Sequence, residues 1–252
     1  MLELNKCYLG DCLEVMKDID DKSVDMILCD LPYGVINKDK NKWDTVIPFI
    51  LLWEIYERII KENGAIILFA SGMFTADIMT SNKKIWKYNL IWKKGDRTSG
   101  FLNANRMPMR NHEDICVFYK KQPIYNPQFE YGYKPSHKKG NPLKETNNCY
   151  GDFKFKETRD YGDIKFPKSV LNFDKEHPPI HPTQKPVLLC EYLIKTYTNE
   201  NDIVLDNCMG SGTTAIACIN TKRNWIGMEK EPKYFDIIKD RVNKRLLQNN
   251  LF

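Results

Sequence analysis

Short apolar runs alternate with segments of helical periodicity along most of the chain. The apolar runs predict seven strands, at residues 6–9, 24–29, 65–69, 88–94, 114–120, 203–205 and 225–228. Apolar residues spaced three and four apart predict helices at 12–19, 47–62, 73–83, 187–197, 213–220 and 234–247. Between 122 and 173 neither periodicity holds. Strands that alternate with helices are typical of α/β domains.

The first candidate site follows the apolar strand at 24–29, where the chain continues as Asp30-Leu31-Pro32-Tyr33. Open α/β sheets bind ligands at the carboxyl ends of their strands. The Asp30 carboxylate and the Leu31 carbonyl are two acceptors that suit the two N–H bonds of an exocyclic amine. Pro32 stiffens the turn, and Tyr33 offers a face for stacking on an extruded base. The pattern favours a site for a base amine, although a plain strand-to-turn junction also explains it.

The second candidate site is the segment DNCMGSGTT at 206–214, which joins the strand at 203–205 to the helix at 213–220. Its glycines allow close approach of a ligand to the backbone, and the helix N-terminus favours negative charge. Glu229 ends the next strand, where an acid suits the hydroxyls of a ribose. Without G-x-G-x-x-G or a Lys after the glycines, a dinucleotide site and a P-loop are disfavoured. The segment indicates a nucleoside-like cofactor.

Together the two motifs resemble those of the β-class amino DNA methyltransferases, which transfer a methyl group from S-adenosyl-L-methionine to a base nitrogen. The hexapeptide HPTQKP at 181–186 matches that family as well. The chain departs from the family pattern at Leu31, where Pro is usual, and at Asn207-Cys208, where Pro-Phe is usual. The first departure keeps the backbone carbonyl, whereas the second leaves a smaller wall beside the cofactor.

The resemblance implies a Rossmann-like S-adenosylmethionine-dependent methyltransferase fold. We expect a seven-stranded, mostly parallel, circularly permuted α/β sheet, with helices on both faces and an antiparallel strand near one edge. It divides the chain into a catalytic half at 1–121, an inserted target-recognition region at 122–173, and a cofactor-binding half at 174–252 that completes the same sheet. The strand at 203–206 is expected beside the strand at 24–29, which would bring Gly210 and Asp30 to one crevice.

The resemblance also assigns roles to individual residues. The catalytic set is Asp30, Leu31, Pro32 and Tyr33. The residues expected to bind the cofactor are Asp11, Asp206, Cys208, Gly210, Ser211, Gly212, Thr213, Glu229, Lys185 and Pro186. Asp11 matches a residue beside the cofactor adenine, although a cap for the helix at 12–19 explains it too. No metal is expected.

The implied activity is methylation of adenine N6 in duplex DNA, at a fixed short sequence, by base flipping and direct transfer. Asp rather than Ser at position 30 favours adenine, but cytosine N4 methylation remains open because the same acceptors suit both amines. A further alternative is a nucleic-acid-binding module with an inactive cofactor fold. Five intact residues argue against such decay: Asp30, Tyr33, Gly210, Gly212 and Glu229.

The charge distribution favours a nucleic-acid partner. The chain carries a net charge of +5, but residues 83–175 hold 20 Lys and Arg against 10 Asp and Glu, a net of +10. A basic segment flanked by acidic halves is typical of nucleic-acid binders, although a solvated Lys-rich surface gives the same count. Within 122–173, basic residues and amides alternate with aromatic ones, which suits phosphate contacts and base stacking.

The composition bears on the cellular location of the protein and on whether it binds a metal. There is no apolar run of about eighteen residues, and the N-terminus lacks the layout of a secretory signal, so we expect a cytoplasmic protein without a membrane partner. The eight cysteines form no C-x-x-C and the four histidines complete no zinc spacing, which favours buried reduced thiols over a metal site. Double-stranded DNA is the expected partner. A homodimer, and a cognate endonuclease of a restriction-modification system, remain open.

Overall fold

The computed structural model describes residues 2–35, 44–132, 163–178, 180 and 183–249. The strands are β1 (Lys6–Leu9), β2 (Val24–Cys29), β3 (Ile60–Ala70), β4 (Trp86–Lys93), β5 (His112–Phe118), β6 (Val170–Asn172), β7 (Ile203–Asp206) and β8 (Asn224–Glu229). The helices are α1 (Cys12–Val15), α2 (Phe49–Ile59), α3 (Met73–Ser81), α4 (Val187–Tyr197), α5 (Thr213–Thr221) and α6 (Pro232–Asn249). Short 3₁₀ turns lie at Met16–Asp18 and Phe101–Asn103.

All eight strands form one sheet in the order β1-β8-β7-β2-β3-β5-β4-β6. Only β5 is antiparallel to its two neighbours, and every other pairing in the sheet is parallel. The α/β fold with a mostly parallel sheet is therefore confirmed. All seven predicted strands are present, and the short β6, which lies beside β4, adds an eighth.

The predicted neighbourhood of the two site-bearing strands is also present. Met26 and Ile27 of β2 pair with Val204 and Leu205 of β7. From β2 the chain leads through α2 to β3, which lies on one side of this pair, whereas from β7 it leads through α5 to β8, which lies on the other side. The strand order thus reverses between β2 and β7, which is the position where open α/β sheets form a ligand crevice at their carboxyl edge.

The predicted helix at 47–62 was wrong at its end, because the helix stops at Ile59 and residues 60–64 belong to β3. Ile60 pairs with Val24, and Lys61 forms an ion pair with Asp25 of β2 at 2.7 Å. A Cβ on Gly64 would lie 2.8 Å from the Asp25 carbonyl oxygen. Gly64 is therefore required by close strand packing rather than by a helix end, and pairing with β2 overrides the helical pattern.

The sheet is buried on both faces. On one face α4, α5 and α6 cover Met26 and Leu28 of β2, and on the other α1, α2 and α3 cover Ile27 and Cys29. The seven cysteines among the described residues are free thiols, and six of them are buried, as predicted. With both faces covered, the carboxyl edge of the sheet is where a ligand can reach the strands.

Residues Pro127–Lys168 form a compact unit of their own, separate from Met1–Asn126 together with Ser169–Phe252. In its described part, Glu130 and Lys165 form an antiparallel bridge, and the rings of Phe129 and Phe166 lie 5.1 Å apart. Most of the predicted target-recognition region, from 133 to 162, lies outside the described residues. Among the residues that are described, no helix has the length and apolar character needed to cross a membrane.

Candidate active site

A cavity of about 750 Å³ opens at the carboxyl edge of the sheet, where β2 and β7 lie side by side. Residues that follow both strands line it. Asp30 and Tyr33 line what we call the amine end, and Asp206, Gly210 and Glu229 line what we call the cofactor end. The two motifs that lie about 175 residues apart in the sequence therefore face one space.

At the amine end, two donors hold the Asp30 carboxylate. The Tyr33 hydroxyl donates to Oδ1 at 2.9 Å, and the Lys185 ammonium donates to Oδ2. Burial raises the pKa of Asp30, and the adjacent charge of Lys185 opposes this effect. A carboxylate can accept about four hydrogen bonds, so Asp30 keeps acceptor capacity for a further N–H group.

The turn after β2 is fixed by packing. Leu31 is almost fully buried, and the Tyr33 ring stacks on Phe74 of α3 with centroids 4.7 Å apart and an interplanar angle of 26°. Leu31, Pro32 and Tyr33 all line the cavity. Phe74 therefore holds the Tyr33 ring in one orientation beside the carboxylate.

Lys185 and Glu113 also line the amine end, where Lys185 lies between the carboxylates of Asp30 and Glu113. Lys185 Nζ lies 3.3 Å from Glu113 Oε2, and Lys94 Nζ lies 2.5 Å from Glu113 Oε1. Burial alone would raise the pKa of Glu113, but the charges of Lys185 and Lys94 overcome it and lower the pKa. Burial works against the charge of Lys185 as well, and the carboxylates of Asp30 and Glu113 raise its pKa. Lys185 is therefore an ammonium at neutral pH.

At the cofactor end, the glycine-rich turn is tied to the acid that ends β8. Glu229 Oε2 accepts a hydrogen bond from the Gly210 N–H at 2.7 Å, and Oε1 accepts one from the Glu231 N–H at 2.9 Å. Gly210 and Gly212 have φ angles of +53° and +78°, which L side chains rarely adopt. The turn thus depends on glycine for its shape.

Asp206, the last residue of β7, also holds the glycine-rich turn in place through hydrogen bonds. Its Oδ1 accepts from the Cys208 N–H at 3.0 Å and its Oδ2 from the Thr214 hydroxyl at 2.6 Å. Burial raises the pKa of Asp206 to about 6. Arg241 of α6 donates to the Ser211 carbonyl at 2.9 Å, so the turn is held from two sides.

Of the remaining residues predicted to bind the cofactor, some line the cavity and others lie outside it. Cys208, Ser211 and Thr213 line the cofactor end, and Asp11 lines it while capping α1 through the Leu13 N–H at 3.0 Å. Lys185 lies at the amine end, against Asp30. Gly212 and Pro186 do not line the cavity. Gly212 precedes α5, and Pro186 is a buried residue just before α4.

Three residues that sequence reasoning missed complete the site: Glu113, Lys94 and Arg241. Glu113 lies between His112 and Asp114 at the start of β5, directly before the apolar residues 115–118, and this polar strand start was the available signal. Lys94 and Arg241 carry no such signal, because lysines are frequent around residue 94 and α6 has the pattern of a packing helix.

The cofactor end fits a nucleoside that carries an amino acid. A buried acid at a strand end suits ribose hydroxyls, and the backbone N–H groups at the start of α5 suit a carboxylate. Asp11 and Lys230, paired at 3.2 Å, add polar groups to the wall. The donors and acceptors present therefore match S-adenosyl-L-methionine.

Comparison with known proteins agrees with this match. A family model described as DNA methylase, for N6 and N4 methyltransferases, matches residues 24–240. The type II methyltransferase M.BglII of Bacillus subtilis is 32% identical, over 99% of this chain and 72% of the relative. M1.MboII of Moraxella bovis is 26% identical, over 93% and 95% of the two chains.

Two solved structures extend the comparison. The M1.HpyAVI–SAM complex has a TM-score of 0.63 and 28% identity, and covers 94% of this chain and 98% of that one. The cytosine-N4-specific PvuII DNA methyltransferase has a TM-score of 0.67 with 16% identity, over 96% and 92% of the chains, and supports the fold alone. The chain belongs to the N6/N4 DNA methylase family, and S-adenosyl-L-methionine is its cofactor.

Proposed function

We propose that this protein methylates N6 of adenine in duplex DNA, within a short fixed sequence, on a base flipped out of the helix. The observation that carries the proposal is the shared cavity. Asp30 at its amine end directly follows β2, and Glu229 at its cofactor end is the last residue of β8. These two strands lie on either side of β7. A base and a methyl donor bound in one cavity can react directly, without a covalent enzyme intermediate.

Asp30 and the Leu31 carbonyl accept hydrogen bonds from the two N–H groups of the base amine. An exocyclic amine is a poor nucleophile because its lone pair is conjugated with the ring. Two fixed acceptors favour a pyramidal nitrogen and free that lone pair for attack. Tyr33 stacks on the base, and Pro32 keeps the turn rigid. Rate acceleration then comes from positioning and from fixed acceptors.

The cofactor end holds the methyl donor. When bound, S-adenosyl-L-methionine supplies an electrophilic methyl group on a sulfonium. Glu229 accepts from the ribose hydroxyls, Asp11 lies beside the adenine, and the turn from Asp206 to Thr213 contacts the remainder. Cys208, Gly210 and Ser211 supply the wall of that turn, Gly212 gives the turn its shape, and Pro186 fixes the loop before α4.

Adenine is favoured over cytosine by the residue that meets the amine. Family members that methylate cytosine N4 more often carry Ser in place of Asp30. Cytosine N4 methylation is the second candidate, because the two acceptors suit either amine. The inactive binding module is not favoured, since the family match includes both motifs and both face the cavity.

The DNA approaches from the loop between β4 and β5. Ser99 and Arg110, which line the cavity, form a two-residue bridge with backbone hydrogen bonds of 2.7 and 3.0 Å. Between them the loop exposes Phe101 and Leu102, together with Arg106. Exposed arginines suit phosphates, and exposed apolar side chains suit unstacked bases. This loop is then a DNA contact of the catalytic part of the chain, and the role of reading the sequence falls to the region 122–173.

In its setting, the protein acts in the cytoplasm as the modification enzyme of a restriction-modification system, with a cognate endonuclease that cuts the same sequence. The type II relatives support that proposal. Analytical ultracentrifugation of the purified protein would distinguish a monomer from a homodimer.

Long-read sequencing tests the activity. DNA from a methylation-free host that expresses this chain is compared with DNA from a host expressing the Asp30→Ala variant. We expect modified adenines at one short sequence in the first sample and none in the second. Unmodified DNA in both samples, with the protein folded and its cofactor bound, would contradict the proposal.

A further inference from the structure

Four charged side chains form a line across the amine end. Asp30, Lys185, Glu113 and Lys94 alternate in sign, and each ion pair between neighbours is 3.3 Å or shorter. They come from the end of β2, the segment before α4, the strand β5 and the end of β4. The side chains of Lys185 and Lys94 are only 7% and 3% exposed. We refer to these four residues as the charge line.

Stability gives little reason for such an arrangement. Removing charges from water is costly, and the attraction between them seldom exceeds that cost, so apolar residues of similar size are often as stable. The surroundings of Lys185 are partly aromatic, with the Phe69 and Tyr33 ring centroids 5.1 and 5.9 Å from Nζ. A chemical role explains better why an ammonium is buried there.

We infer that Lys185 is a positioning residue, which keeps the Asp30 carboxylate ionised and aimed at the base amine, while Glu113 and Lys94 hold Lys185 in place. The inference rests on the proposed function and deepens it. The sequence analysis placed Lys185 among the cofactor-binding residues. The present inference gives it a role at the base instead.

An ionised Asp30 is needed because protonation turns one carboxylate oxygen into a donor and removes the negative charge that strengthens the other as an acceptor for an N–H group. Burial favours the protonated form by raising the pKa of Asp30, and Lys185 counters it. Several charged or titratable groups surround this pair on the elements packed against it: Tyr33, Glu113, Lys94, Lys175, Asp206, Cys29 and Cys190. Of these seven groups, Tyr33 alone donates a hydrogen bond to Asp30, in addition to the one from Lys185.

Glu113 offers a second resting place for the ammonium. Its Oε2 atom is buried, and no described residue donates a hydrogen bond to it, although Lys185 Nζ lies 3.3 Å away. When a base N–H group takes up Asp30 Oδ2, the Lys185 ammonium can turn towards Glu113 Oε2 without losing its partner. The site can therefore release an acceptor to the substrate while the local charge stays balanced.

The test compares Lys185→Met, Lys185→Arg and a control, Lys195→Met, which changes a half-exposed lysine on α4 whose ammonium lies 3.7 Å from Glu191. The readouts are the pH profile of methyl transfer and the affinity for S-adenosyl-L-methionine by calorimetry. Carboxyl ¹³C NMR, with Asp30→Asn to identify the resonance, follows the titration of Asp30 without any reaction.

For Lys185→Met we expect turnover near neutral pH to fall by about 10–100-fold, as for other residues that orient a functional group. The acid limb of the profile and the NMR titration of Asp30 should both move up by about one pH unit or more, with cofactor affinity unchanged. Lys185→Arg should keep the acid limb of the wild type. Lys195→Met should change nothing.

An Asp30 titration that does not move in Lys185→Met would overturn the inference, as would a loss of cofactor affinity with an unmoved acid limb. If the wild-type protein methylates no DNA, the proposed function fails instead. The NMR titration then still decides whether Lys185 controls the ionisation of Asp30.

Discussion

The Glu229 carboxylate accepts a hydrogen bond from the Gly210 N–H at 2.7 Å, which joins the end of β8 to the turn after β7. The acid that suits a ribose and the glycine that shapes the turn are thus one structural unit. A change at Glu229 affects both the ligand contact and the loop. The cofactor end is therefore sensitive to this side chain in two ways.

We expect Glu229→Ala to weaken binding of S-adenosyl-L-methionine by roughly 1–3 kcal/mol, the usual cost of leaving hydrogen-bonding groups unpaired. Isothermal titration calorimetry measures it. Glu200→Ala, which removes an exposed carboxylate 3.5 Å from Lys222, serves as the control and should bind like wild type. Unchanged affinity in Glu229→Ala would mean that the ribose is held by other groups.

Asp30→Ala should remove methyl transfer and leave cofactor binding in place, because Asp30 lies at the amine end of the cavity. The loss should be on the order of 100-fold or more, as for the removal of one preorganised group. Single-turnover methylation of a DNA substrate measures it at saturating cofactor. A variant that keeps near-wild-type turnover would refute the role of Asp30.

The stability of the protein should depend on Asp206 in a pH window set by its raised pKa of about 6. The folded state binds this proton more tightly than the unfolded chain, whose Asp titrates near 3.8. Ionised Asp206 therefore destabilises the fold at neutral pH by about 3 kcal/mol, at 1.36 kcal/mol per pH unit. That cost disappears as the pH falls from above 6 towards 4.

Urea unfolding of the wild type and of Asp206→Asn at several pH values tests this sign. Relative to the variant, the wild type should gain stability as the pH is lowered through 6. Asp77→Asn, at an exposed position of α3, provides the matched control. A difference that does not vary with pH would show that Asp206 is not a buried ionised group.

DNA binding should depend on the loop between β4 and β5. We expect Arg110→Ala to weaken binding across all sequences and to lower the slope of log K against log salt by about one, as for a lost phosphate contact. Lys222→Ala, before β8 and so at the opposite edge of the sheet, should leave the slope unchanged. If Arg110→Ala and the wild type had equal salt slopes, Arg110 would not contact a phosphate and the DNA would not bind at this loop.

Much of the site could be predicted from strand ends. The apolar runs before Asp30 and Asp206 indicate buried strands, and ligands gather where such strands end, so the two motifs could be expected to meet. The start of β3 could not be predicted, because residues 60–62 continue the helical pattern and pairing with β2 makes them extended. Lys185 could not be placed either, since a loop lysine can pair with any nearby carboxylate until the fold brings Asp30 and Glu113 to it.

We propose that Asp30 and the Leu31 carbonyl activate an adenine amine for direct methylation, and the identity of the methylated nucleoside tests this most directly. Unmodified duplex DNA is incubated with the protein and S-adenosyl-L-methionine, digested to nucleosides and analysed by mass spectrometry. We expect N6-methyldeoxyadenosine as the product. N4-methyldeoxycytidine as the sole product would contradict the choice of base, and 5-methyldeoxycytidine would contradict the mechanism as well, because these acceptors cannot activate a ring carbon.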